Sequence, residues 1–150
     1  MIATTVAYDL VFLVHVVAAV SMVTVYVVMR TSAQQIVRGV DGSTQRTRFP
    51  ERRNWAARLL HLLPVTGLVL SLTGSHSVAL SRPWIGVGIF CYLAAAGHLE
   101  ARTLPLERAI SDTIHRDGAA SIEQGRQLVR SIDILLGVIA VALVAMIVQF

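Results

Sequence analysis

Leu10 to Met29 reads LVFLVHVVAAVSMVTVYVVM, twenty positions without a charge. At ~1.5 Å per residue such a helix covers the roughly 30 Å of a bilayer's hydrocarbon core. Three more uncharged apolar stretches follow, at Leu59 to Ser81, Pro83 to Leu99 and Ile134 to Phe150. The last two are short for a crossing, but Trp84, Arg102 and Arg130 beside them suit headgroup positions. The pattern predicts an all-α fold, a four-helix transmembrane bundle forming a single domain over 1–150. Its spans fall near 8–30, 57–80, 83–103 and 131–150.

Composition agrees with this pattern. Apolar residues are 55% and charged residues 15% of the 150, more apolar surface than a core of this size can hide, so lipid must be the solvent for much of it. The net charge of +4 is carried by thirteen basic residues, all arginine. No long aqueous face exists to present them to nucleic acid. Cys91, the lone cysteine, lies in an apolar run and reads as a small filler rather than a ligand or redox thiol. The N-terminal stretch has no basic leader, carries Asp9 and is too long for a signal core, so it reads as a retained span.

Arginine placement sets direction. Seven lie between Arg30 and Arg58 and five between Arg102 and Arg130, against Arg82 alone on the other side. By the positive-inside rule both long loops are cytoplasmic and both termini face out. The first loop, TSAQQIVRGVDGSTQRTRFPERRN, can prolong the first helix to about Arg38. Asp41, Gly42 and Ser43 then give a turn signal. In the second loop, TLPLERAISDTIHRDGAASIEQGRQLVRS, Pro105 suits a helix first turn, and Leu106, Ile110 and Ile114 share one face. Ser121 with Gln124 forms a capping box ahead of the last span. A short interfacial helix before span four is the expectation.

Counted from the cytoplasmic arginines, Tyr26, His61, His98 and Asp133 each lie three or four residues inside their span, roughly 5 Å below the rim. Facing lipid they would be costly; facing one another they can pair. The simplest reading is a structural polar layer, with His61 or His98 donating to Asp133. The sharper one is a cofactor site, in which His15, His61 or His98 ligates a haem, or a proton-passing layer. No dedicated metal site is expected, since ligand spacings such as HxxxH are missing. Deeper in span one stands His15, with Ser21 or Ser71 as candidate partners, and His76 lies near the outer end of span two. Gly67, Ser71 and Ser75 give span two a small-residue face, for which Gly137 and Ala145 offer a matching groove on span four. Pro64 is expected to kink span two above His61.

The segments DLVFLVHVVAAVSMV, HLLPVTGLVLSLTG, RPWIGVGIFCYL and SIDILLGVIAVALVAMIVQF resemble the integral membrane proteins of domain-of-unknown-function family 2269. The resemblance covers nearly the whole chain. It implies a multi-pass protein of the bacterial cytoplasmic membrane and brings no established activity with it. That family is similar in turn to the four-helix bundles of copper-resistance protein D and the membrane protoporphyrinogen oxidase, where a span-one histidine followed by a small residue, a Trp and a Gly is typical and, in the oxidase, is a haem ligand. His15 matches that histidine; the VVAAVSMVTV after it has neither Trp nor Gly.

No nucleophile–base pair, phosphate loop or acidic dyad is present, so no catalytic residue and no reaction are assigned. The expected function is a small non-enzymatic accessory or scaffold subunit of a larger membrane complex, with membrane lipids, other membrane subunits or copies of itself as partners. The alternative is a b-type haem redox protein built on the histidines. A minimal transporter ranks third, because four spans are few and no broken-helix pair is evident.

Overall fold

Helix α1 runs from Ile2 to Val37 because no glycine or proline interrupts it before Gly39. Gly39 adopts φ +74°, its N–H reaches the Ile36 carbonyl and Val40 N–H reaches Gln35. These are the paired bonds of a Schellman stop, which glycine fits without strain. The computed structural model describes residues 2–51, 54–73 and 82–148, and every regular element among them is helical.

Among the described residues three helices are long and apolar enough to cross a membrane: Val6–Val37, Pro83–Asp117 and Ile122–Val148. The apolar helix Ala56–Leu72 is shorter, and the expected extension of that span to 80 lies outside the described residues. It opens as a 3₁₀ turn, Ala56–His61, and continues as α3, Leu62–Thr73. Pro64 therefore sits in the first turn of α3 and does not kink a longer helix. Having no N–H for the carbonyl four residues back, it is accommodated next to the tightened turn.

The second expectation to change is the separate interfacial helix. Helix α4, Pro83–His98, passes through a π turn at Leu99–Thr103 straight into α5, Leu104–Asp117. Pro105 cannot donate to Ala101. The widened turn, in which Leu104 N–H reaches back to Leu99, lets the helix run on past it. Gly118, at φ +92°, ends α5. The capping box forms as expected: Gln124 N–H donates to Ser121 Oγ at 3.2 Å and Ser121 N–H to Gln124 Oε1 at 2.9 Å. From there α6 runs over Ile122–Val148.

Helix α1 packs along α6 and α3, and α4 packs along α6. The small face of α3 therefore meets α1 rather than α6. A Cβ on Gly67 would stand 3.6 Å from His15 Cε1, whereas one on Gly137 would meet nothing within 4 Å. Ser75 lies outside the described residues.

The two loops close over one end of these helices as a single packed unit. Asp41 caps a helix that the turn signal alone did not suggest, α2 over Gly42–Arg48. Its carboxylate accepts from the hydroxyls of Ser43 and Thr44 and from Thr44 N–H. Those bonds, the Ser43 hydroxyl first, hold the Asp41 carboxyl down to about 2. Buried Gln45 links the loops, donating to Val40 O at 2.8 Å and accepting from Ala120 N–H at 2.9 Å. Ser111 and His115 on α5 both bond the Phe49 carbonyl. Ile36, Leu99, Ile110, Ile114, Leu128, Ile132 and Leu135 are fully enclosed there. At the far end the picture inverts, and no residue of α1 from Val6 to Val17 is buried.

Candidate functional site

The polar residues singled out by depth lie near this loop end, but each finds a partner on a neighbouring helix instead of one shared centre. Tyr26 is fully buried and donates to the Ala57 carbonyl at 2.7 Å, joining α1 to the 3₁₀ turn. Ala57 N–H in turn donates to Asn54 Oδ1 at 3.2 Å, and Asn54 Nδ2 to Glu107 Oε1 at 2.8 Å. One chain of bonds thus runs from α1 through the turn to α5.

His61 and Tyr92 meet at 3.1 Å with their rings edge-on. On the other side of the imidazole, Nε2 lies 3.4 Å from Glu100 Oε1. Glu100 is clasped by both nitrogens of the Arg58 fork, at 2.7 and 2.8 Å, a planar pairing that a guanidinium makes well. Arg58 also stands 5.1 Å above the Trp55 ring. This group joins the 3₁₀ turn to α4 and its π turn.

His98 Nε2 lies 3.0 Å from both the hydroxyl and the carbonyl oxygen of Ser131. Thr103 Oγ1 adds a third contact to Ser131 Oγ at 2.9 Å. This cluster joins α4 to α6. Asp133, proposed from sequence as the histidines' acceptor, bonds Arg30 instead, with Arg30 Nε 2.5 Å from Oδ1. The cause is helical phase. Ser131 shares the inward face of α6 with Leu128 and Leu135, and Asp133, two residues on, points about 200° round the helix. So α1–α6, α6–α4, α4 to the 3₁₀ turn, and that turn to α1 each carry one polar stitch near the same end.

His15 belongs to the far half. Its Nδ1 lies 2.7 Å from Thr66 Oγ1, so Thr66 takes the place expected of Ser21 or Ser71. Thr66 Oγ1 also lies 2.8 Å from the Leu62 carbonyl, so its hydroxyl bridges the imidazole and the backbone of α3. His76 lies outside the described residues. Ser131, Thr103, Thr66 and Tyr92 were the partners missed. For Ser131 the signal was available: the spacing of Leu128, Leu135 and Ile139 points it inward.

No family model, curated protein or solved structure matches this chain. Among the described residues no three His, Cys, Asp or Glu side chains gather as metal ligands. A haem would need imidazoles aimed into one cavity. The apolar groove between α1 and the start of α3, about 310 Å³, is lined by Leu13, Val14, Val17, Ala18, Ser21, Leu59 and Leu62, with no histidine. His61 and His98 engage different helices, and His15 lies on a third contact. This arrangement does not fit a haem held by two of these histidines, and no step is routed through one.

Proposed function

We propose that the chain is a four-span protein of the bacterial cytoplasmic membrane, with its arginine-rich loop end in the cytoplasm and its termini outside. In this reading it is a non-enzymatic accessory or scaffold subunit of a larger membrane complex. One observation carries the proposal. The polar groups near the loop end are used in stitching helix to helix, while the far halves of the same helices carry broad apolar faces with no partner among the described residues. Phe90 is 72% and Ile147 81% exposed. Such faces suit lipid or neighbouring helices, and Gly86, Gly97 and Gly137, exposed and bordering open space, leave room for another helix to approach closely. The likeness to domain-of-unknown-function family 2269 rests on the quoted segments alone and is consistent with this role.

The test is purification from native membranes in mild detergent, with mass spectrometry of what accompanies the chain and an absorption spectrum of the product. Stoichiometric membrane partners and a colourless protein are expected. A Soret band with reducible alpha bands would replace the scaffold reading with the haem reading, with His15 as the ligand to test first.

A further inference from the structure

Where α1 leaves the packed loop end beside α6, the two helices form a groove of about 350 Å³ lined by Gln34, Val37 and Arg38 on one side and Arg126, Arg130 and Asp133 on the other. Its existence depends on Gly125. A Cβ there would stand 3.1 Å from Ile36 and Val37, so glycine is what allows α6 to approach α1 immediately before Arg126.

The charges are unevenly satisfied. Asp133 is the carboxylate of the groove, and Arg30 already holds it. Among the described residues Arg38, Arg126 and Arg130 have no ion pair. Three guanidiniums therefore line one concavity with no ion-pair partner among the described residues. A phosphate suits this set, because guanidinium forks bond its oxygens in pairs.

What lies below the groove selects the source of that phosphate. Arg30, Gln34 and Arg38 share a helical face with Val16, Val20 and Val27, and all three valines are exposed. Arg126 and Arg130 share theirs with Gly137, Val141 and Val144, where the valines are exposed and Gly137 borders open space. Two apolar strips thus descend from a basic notch, and charge stops at the Arg30–Asp133 pair. This is the outline of a lipid, headgroup above and acyl chains below. We propose that the groove binds the phosphate of an anionic phospholipid from the leaflet at the loop end, with its chains along α1 and α6. The proposal rests on the membrane reading above. It assigns lipid recognition to the helix pair and not to the exposed arginines of α2, below which no such strips run.

The experiment is native mass spectrometry of the detergent-purified full chain, titrated with phosphatidylglycerol or with phosphatidylcholine of the same acyl chains. Phosphatidylglycerol should bind preferentially, and the Arg126→Gln/Arg130→Gln double variant should bind it roughly thirty-fold more weakly. Arg46→Gln/Arg48→Gln removes the same charge from α2 and should change binding less than about two-fold. If the groove double variant does not fold, Arg130→Gln alone, with retained melting, should weaken binding about five-fold. Equal binding of both lipids, or equal losses in the two double variants, overturns the site. Glycerol phosphate competing as well as the lipid would make it a soluble-phosphate site and also overturns the lipid assignment. Alkaline extraction of native membranes separates this failure from failure of the underlying reading. A chain retained in the membrane pellet without phosphatidylglycerol preference sinks the lipid site alone, and a chain released to the supernatant sinks the membrane reading.

Discussion

The loop end and the far end of this molecule are built from the same helices and obey different rules. At the loop end, α1, α5 and α6 enclose a core, two turns touch backbone to backbone, and polar stitches fix which helix lies beside which. At the far end α1 buries nothing between Val6 and Val17, and one polar contact, His15 to Thr66, ties it to α3. The difference teaches that helix order is specified near one end and propagated along rigid helices to the other. The far half of α1 is left largely exposed, while α6 still buries Ile139 and Ala145 towards that end.

The sharpest way to break this contrast is at the contact between the two turns. A Cβ on Gly42 would fall 2.1 Å from the Gly118 carbonyl oxygen, a backbone atom with little room to yield. Gly42→Ala should cost about 3 kcal/mol, as a severe overpacking does, and lower the melting temperature of the detergent-purified protein by several degrees. An unchanged melt would mean that the loops do not pack as one unit.

Tyr26→Phe probes a single stitch. It leaves the Ala57 carbonyl enclosed without its donor, at an expected loss of about 1 kcal/mol. Chemical denaturation at matched detergent concentration measures it.

The smallest effect concerns the α2 cap. The folded Asp41 carboxyl is held at about 2, below its ordinary 3.8, so its support for α2 is complete above pH 4. That support is lost as pH falls from about 4 to about 2. The protection factors of the α2 amides should fall over that window in the native protein and not in Asp41→Asn.

Much of the fold was legible in the sequence. The uncharged runs located the long helices, the first helix ends close to Arg38 as expected, the Ser121–Gln124 box marked a start that the structure keeps, and Ile110 and Ile114 are buried as their spacing implied. The partners of the polar residues were less legible. Counting residues from the arginines leaves rotation about each helix open, and Asp133 was preferred to Ser131 because it is ionisable. Phase decides otherwise. Continuity from α4 into α5 was hidden by Pro105, whose usual meaning is a helix start. The reciprocal order of neighbours, which sets α3 against α1, depends on long-range packing that no local pattern encodes.

The contrast between the two ends is tested most directly by making one chemical change at each. Leu128 is fully buried among the loop-end helices and Leu13 is 57% exposed on the far half of α1. Denaturation of Leu128→Ala and Leu13→Ala in the same detergent should show a loss of about 2–5 kcal/mol for the first and less than about 0.5 kcal/mol for the second. Equal losses, or a larger loss at Leu13, would contradict an end-specified fold.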